Sequence, residues 1–408
     1  MTDKQLIFLT TDSKPMTGGI AEYLHQLCEH LGLTLDVELF STVPTCEELK
    51  PIRYKVHQLE KRPARDLGRK PGDSFFPSRK INTWRYYKRL ENLAKQEIQK
   101  LDPKNKLVVI GYWSLESHFW CRACHQYRIP YAVIYHGAEL ISRLSWPCSD
   151  WRKKDLKYTA SAIVNSKGTG QLLQNISPKI KSFHVINPGI DARTYIPSEA
   201  QELFQKRSEV GVPPNAFVLL AVGRLIKRKG FDLVMESLAA LQEQFPLLYY
   251  IITGDGPEKT RLKEKALSLG VSDKVIFLSD VNDKDKWILY AICDVFIMPN
   301  RTLNNTDWEG FGIVFLEAAL AGKPSIGGKN SGVPDAIVDG ETGFLVNSEN
   351  GEEITSAIRR LFENETERKR KGESARKRAL AAFSWNYLAD LFKDSVFKNM
   401  DERRHRRR

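Results

Sequence analysis

Long apolar runs are missing from this chain. No stretch approaches the roughly 18–20 consecutive apolar residues of a membrane-spanning helix. The start, "MTDKQLIFLT", lacks the basic, apolar and small-residue order of a secretory signal and turns directly into a strand. Cysteine is scarce: six in 408 residues do not make a disulfide framework. Cys121 and Cys124 form one CxxC, but no second ligand pair follows at zinc spacing. They read as two cysteines on the buried face of a helix. No repeat of 20–50 residues is visible, and the GxGxxG dinucleotide fingerprint is not met. These absences predict a cytoplasmic globular protein with an ordinary apolar core.

Charge is plentiful and uneven. The formal net charge is +12. Residues 50–106 hold 17 Lys or Arg against 6 Asp or Glu, and the terminal "RRHRRR" adds five arginines. A local basic field draws anions: phosphorylated ligands, acidic lipid headgroups or nucleic acid. Within the basic stretch, "SFFPSRKINTWRYYKRL" sets aromatics among cations. That mixture suits a membrane interface, and its plain alternative is a solvated helix face.

A chain of this length calls for two or three domains. Strands rich in Val, Ile and aromatics ("QLIFLT", "KLVVIG", "YAVIYH", then "FVLLAVG", "LLYYIITG", "DVFIMP") alternate with amphipathic stretches throughout. Near-continuous apolar strands with helical crossovers imply parallel sheets covered on both faces. The pattern predicts an α/β chain of two Rossmann-like domains, residues 1–190 and 200–384. Pro and Gly in "NPGIDARTYIPSEA" (Asn187–Ala200) mark the hinge. Ligands of such sheets bind beyond the carboxyl ends of the strands. Two facing domains would hold one in an interdomain cleft, so the residues just after strands carry the information.

Several of those positions stand out. In "TGGIAEYL" (Thr17–Leu24), Gly18 and Gly19 let backbone approach a ligand at a helix N-terminus; the plain reading is a turn. In "AVGRLIKRKGF", Gly223 and Arg224 end a strand and Lys229 precedes a helix, a cationic pair suited to a diphosphate. Gly254 opens the turn "GDGP" after the next strand. His136 follows "YAVIY" and could give a hydrogen bond to a sugar hydroxyl, or could be structural. In "DWEGFGIVFLEAALAG", Glu309 sits in a loop with Gly310, Phe311 and Gly312, and Glu317 lies one turn into the next helix. The amides near Ile313 and Val314 open that helix and could bind a phosphate. Carboxylates at both places suit the diols of ribose and hexose.

Taken jointly, these motifs resemble the GT-B glycosyltransferases of the large retaining family four. Glu309 to Glu317 matches that family's E-x7-E pattern, and the segment around it is similar to phosphatidylinositol-mannoside mannosyltransferases. The resemblance implies a hexosyltransferase with a nucleotide-diphosphate sugar as donor, GDP-mannose being suggested, and with no cofactor and no metal. The catalytic group would be His136, Arg224, Lys229 and Glu309. The donor would lie against Gly18, Gly19, Gly223, Arg224, Lys229, Gly254, Val281, Glu309, Gly310, Phe311, Gly312, Ile313, Val314 and Glu317. "FSW" at Phe383–Trp385 resembles the point where such chains cross back, so residues 385–400 would pack on the N-terminal domain, leaving 401–408 as a basic tail. Residues from about Glu47 to Asp102 match no recognisable family pattern, which leaves the acceptor open between a lipid-linked or glycan acceptor and a soluble sugar or sugar phosphate. A peripheral position on an anionic membrane is expected, and no nucleic acid. The rival readings are a sugar-nucleotide epimerase and, in another class, a basic membrane- or nucleic-acid-binding protein on an inactive scaffold.

Overall fold

A computed structural model describes residues 4–14, 16, 18–42, 52–59, 77–102, 105–141, 148–180, 182–195, 199–303 and 307–405. The chain divides into two compact units. One contains Met1–Asn165, Thr169–Ile186 and Trp385–Arg408; the other contains Ser166–Gly168 and Asn187–Ser384. Thr17 of the glycine motif and residues 60–76 of the basic stretch lie outside the described residues.

The first unit is built on seven strands: β1 (Gln5–Thr10), β2 (Asp36–Ser41), β3 (Lys55–Gln58), β4 (Lys106–Ile110), β5 (Tyr131–Tyr135), β6 (Ser161–Val164) and β7 (His184–Val185). Their order is β3-β2-β1-β4-β5-β6-β7, with every pairing parallel. Order reverses between β1 and β4, so a crevice opens at the carboxyl ends of those two strands. The last helix, Trp385–His405, belongs to this unit. Its Trp385, Leu388 and Phe392 share a buried cluster with Phe8, Tyr23 and Leu24. Burying a side chain the size of Phe392 contributes about 1.5–3 kcal/mol, which is what draws the chain's end back here.

Six strands form the second sheet: β8 (Phe217–Val222), β9 (Leu248–Thr253), β10 (Val275–Leu278), β11 (Val295–Met298), β12 (Ser325–Gly328) and β13 (Gly343–Val346). The order is β10-β9-β8-β11-β12-β13, again all parallel. Along β8, Val218 and Leu220 enter one core, whereas Leu219 and Ala221 enter the other. Alternate residues thus face opposite layers, and the continuous apolar run reflects burial on both faces. Here the reversal falls between β8 and β11.

Cys121 and Cys124 are free and buried in the helix Leu115–Gln126, in the role that periodicity gave them. Two of the aromatics offered above to a membrane interface are packed inward instead. Tyr86 is buried in the helix Pro77–Gln99 and clusters with Leu90 and Phe119, and Tyr87 stacks on Phe119 at 5.3 Å. Arg85, Lys88 and Arg89 of that helix stay exposed. Among the described residues no helix is long and apolar enough to cross a membrane.

Candidate active site

The second unit gathers polar groups where its strand order reverses. After β8 the chain passes Gly223 and makes one tight turn over Lys227–Lys229. Gly230 follows at φ 76, left-handed backbone that favours glycine. A Cβ there would strike the carbonyl of Pro299, just past β11. That close approach brings the turn after β8 against the loop after β11, and Arg301 sews the two together. Its amide donates to the Arg228 carbonyl at 2.8 Å, and its Nε donates to the Lys227 carbonyl at 3.0 Å. Its guanidinium also grips both oxygens of Asp232 at 3.0 and 2.9 Å.

Glu309 sits at the centre. Lys229 Nζ donates to its Oε2 at 2.6 Å, Asn300 Nδ2 at 3.0 Å and Arg228 Nε at 3.4 Å. Arg228 also pairs with Asp307 at 2.8 Å. All three donors converge on one oxygen, so Oε1 keeps its lone pairs. Lys229 and Glu309 are both 8% exposed, a nearly dry ion pair. Burial alone would push the Glu309 carboxyl up, but the Lys229 and Arg228 charges and their hydrogen bonds outweigh it and hold the group below the usual carboxylate range.

From Glu309 the chain runs into the helix Ile313–Leu320. Gly312 caps it at φ 90, with no side chain closing the end. The amide of Phe315 turns back to the Gly312 carbonyl at 3.0 Å, so those of Ile313 and Val314 are left without an acceptor, the arrangement that attracts an anion. Glu317 lies four residues on, roughly 6 Å along the axis. Lys286 holds its Oε1 at 3.0 Å and the Tyr290 hydroxyl its Oε2 at 2.7 Å. Phe311 turns into the core against Phe383, 5.8 Å between rings, so only its backbone can face a ligand. Val281 is half-buried against the same core.

The remaining positions divide. Gly223 adjoins the Lys229 ammonium: a Cβ there would lie 4.0 Å from Nζ. Arg224 is exposed and has no ion pair or hydrogen bond among the described residues, a cation just past β8. It is not among the groups bonded to Glu309, whereas Arg228, which the sequence reading passed over, is. Gly254 has a packing duty, because a Cβ on it would strike the Gly223 carbonyl. Asn300, Asp307, Lys286 and Tyr290 were also missed. Asn300 lies two residues past β11 and Asp307 two before Glu309, while Lys286 and Tyr290 stand one turn apart on the helix Asp283–Ile292; position was their only signal.

His136 and the glycine loop lie in the first unit. Gly18, at φ 152, caps the helix Gly19–Leu31, and among the described residues no side chain caps that end with a hydrogen bond. His136 follows β5 and is 6% exposed. Its Nε2 lies 2.9 Å from the Gly111 carbonyl, just past β4. A carbonyl only accepts, so Nε2 carries the proton and Nδ1 is left as an acceptor. With Nε2 engaged by Gly111, Nδ1 is the ring atom left to meet a neighbouring group. Burial pushes the imidazole down to about 4, against a smaller upward pull from the Gly111 carbonyl. The neighbouring Glu139, whose carboxylate accepts the His136 amide, is pushed up by burial to about 7.

The His136 shift has a measurable consequence. Its folded value lies below the ordinary 6.5, so its contribution to stability is full above pH 6.5 and is lost as pH falls to about 4. The loss is about 3 kcal/mol. Glu139 acts oppositely, adding stability at low pH that is lost as pH rises towards 7. Urea unfolding of wild type and His136→Gln across pH 4–7 separates them, because the Glu139 contribution cancels in the difference. The gap between the two curves narrows as pH falls; parallel curves would mean that His136 is not held neutral.

The sequence pattern of Glycosyltransferase Family 4 matches residues 17–194, and that of Glycosyl transferases group 1 matches residues 204–378. A GDP-mannose-dependent alpha-(1-6)-phosphatidylinositol monomannoside mannosyltransferase of Mycolicibacterium smegmatis is 30% identical over 231 residues, 56% of this chain and 57% of that protein. A D-inositol 3-phosphate glycosyltransferase of Corynebacterium glutamicum is 31% identical over 60% of this chain and 59% of its own length. The matches thus span little more than half of these curated relatives. Among solved structures, HepE of Anabaena in complex with UDP superposes with a TM-score of 0.76 at 19% identity, over 97% of this chain and all of that one. WaaG, a glycosyltransferase involved in lipopolysaccharide biosynthesis, superposes at 0.63 over 96% of this chain and 99% of its own. Two all-parallel α/β units and two consecutive family matches give one conclusion: the chain belongs to the glycosyltransferases of family 4 and has the GT-B fold.

Proposed function

We propose that the protein is a retaining, metal-independent hexosyltransferase that moves a sugar from a nucleotide diphosphate to a glycan or lipid-linked acceptor. The observation that carries this is the dry Lys229–Glu309 pair beside the open amides of Ile313 and Val314, at the strand-order reversal of the second sheet. An ammonium and a helix N-terminus can take a diphosphate together, and Arg224 adds a cation after the same strand. As the glycosidic bond breaks, charge grows on that diphosphate, and fixed positive groups in a dry site lower the barrier. These groups supply the charge a metal would otherwise bring. Oε1 of Glu309 faces the sugar's hydroxyls, and Glu317 takes the ribose diol. The relatives' names favour GDP-mannose. The UDP held by the structural neighbour keeps UDP-sugars in the test. The excess of base over acid in residues 50–106 supports an anionic membrane surface as the place of action.

A thermal-shift panel of GDP-, UDP-, ADP- and TDP-sugars tests the reading. A donor at about 100 times its dissociation constant stabilises by roughly 2.7 kcal/mol. In Glu317→Ala the affinity for that donor falls about 10–100-fold, the loss of a charge-assisted hydrogen-bond pair, while the glycan-transfer step at saturation changes much less. No shift with any donor would sink the proposal, and an inverted anomer in the product would sink its retaining part.

A further inference from the structure

We propose that Asn300 reads a hydroxyl of the transferred sugar, an assignment that rests on the donor-site reading above. Asn300 lies two residues past β11 and is 1% exposed. Its Nδ2 donates to Glu309 Oε2 at 3.0 Å. A carboxylate can only accept, so this bond fixes which way the amide points. The reversed amide would set two acceptors against each other. Oδ1 therefore points away from Glu309, and it is buried with no hydrogen-bond partner. Buried acceptors are nearly always paired, and leaving one unpaired costs about 1–3 kcal/mol.

The backbone gives the side chain little freedom to relieve this. The Asn300 amide donates to the Met298 carbonyl at 2.8 Å. Gly328, at the end of β12, lies so close that a Cβ would strike the Asn300 carbonyl. Lys229 Nζ, which gives a hydrogen to Glu309 Oε2, makes no hydrogen bond to Oδ1. The missing donor is then supplied from outside the chain. Phosphate oxygens are acceptors and would be repelled by Oδ1, so a phosphate does not fit. A neutral hydroxyl does, and beside Glu309 that hydroxyl belongs to the sugar. Asn300 is thus a specificity-determining residue: its amide keeps Oε1 of Glu309 available, and its carbonyl selects among sugars by one hydroxyl.

Two substitutions separate the roles. Asn300→Ser keeps a donor for Glu309 and removes the carbonyl; Asn300→Asp keeps an acceptor and sets a like charge against Glu309. The experiment measures kcat/KM for donor consumption with GDP-mannose and UDP-glucose and with their 2-, 3-, 4- and 6-deoxy analogues, on protein whose folding is verified by its melting temperature. In wild type one deoxy position lowers kcat/KM about tenfold. In Asn300→Ser that position no longer matters and the others keep their wild-type ratios. Asn300→Asp loses turnover with every donor. A uniform loss across all analogues in Asn300→Ser would show a packing role and overturn the inference while leaving the donor site standing. No consumption of any donor by wild type would overturn both.

Discussion

Replacing Lys229 with alanine removes turnover, by about 10³-fold in kcat, and lowers stability as well. The first effect follows from the loss of a fixed cation where charge develops on the leaving diphosphate. The second follows from burial. Glu309 is 8% exposed, and without Lys229 its charge keeps only the weak Arg228 bond and the neutral Asn300 amide. Stranding a buried charge costs about 3–5 kcal/mol, and the remaining donors place this case near the lower end. Chemical denaturation measures it. The double variant Lys229→Met, Glu309→Gln regains most of the stability, because no charge is left unpaired, yet stays inactive. A double variant as unstable as the single one would mean that the pair is not what holds this loop.

Gly332→Ala is the second large effect, and it acts entirely through backbone. Gly332 donates its amide to the Glu309 carbonyl at 2.9 Å, and a Cβ on it would overlap the Gly310 carbonyl. Neither group is the flexible end of a side chain, so the loop from Glu309 to Gly312 must move. A displacement of about 1 Å at a positioned group costs about 10²-fold in rate, and the overpacking costs about 1–3 kcal/mol. Gly351→Ala is the control. It begins the helix Gly351–Glu363, its Cβ would meet nothing within 4 Å, and it should gain about 0.4–1 kcal/mol. Turnover and unfolding of the two variants, measured together, check the pair. Equal activity in both would remove the loop from the mechanism.

Much of the architecture was legible because buried parallel strands write themselves as apolar runs. β8, β9 and β11 are nearly uninterrupted Val, Leu, Ile and aromatic residues, with turn-forming residues at both ends. β3 escaped because it is a sheet edge, the half-polar "KVHQ", with no apolar run to announce it. The two acids of the E-x7-E pattern were visible from spacing, but their partners were not. Glu309 is held by Asn300, nine residues away, and by Lys229, eighty residues away, and only the pairing of β8 with β11 makes them neighbours. Arg228, four residues past Arg224, was passed over for the same reason. Both are cations in one loop, and the turn at Lys227–Lys229 decides which of them meets Glu309. His136 was visible after its strand, but its hydrogen-bond partner was not. That partner, the Gly111 carbonyl, lies one strand over and 25 residues back.

Calorimetric titration of GDP against GMP, and of UDP against UMP, bears most directly on the central claim that Lys229 and the amides of Ile313 and Val314 grip a diphosphate. With wild type, the diphosphate of the preferred base binds about 100-fold more tightly than the monophosphate, as charge-assisted bonds to the added phosphate require; with Lys229→Ala that ratio collapses to within about threefold. Equal affinities for the two in wild type, or an unchanged ratio in the variant, would contradict the account.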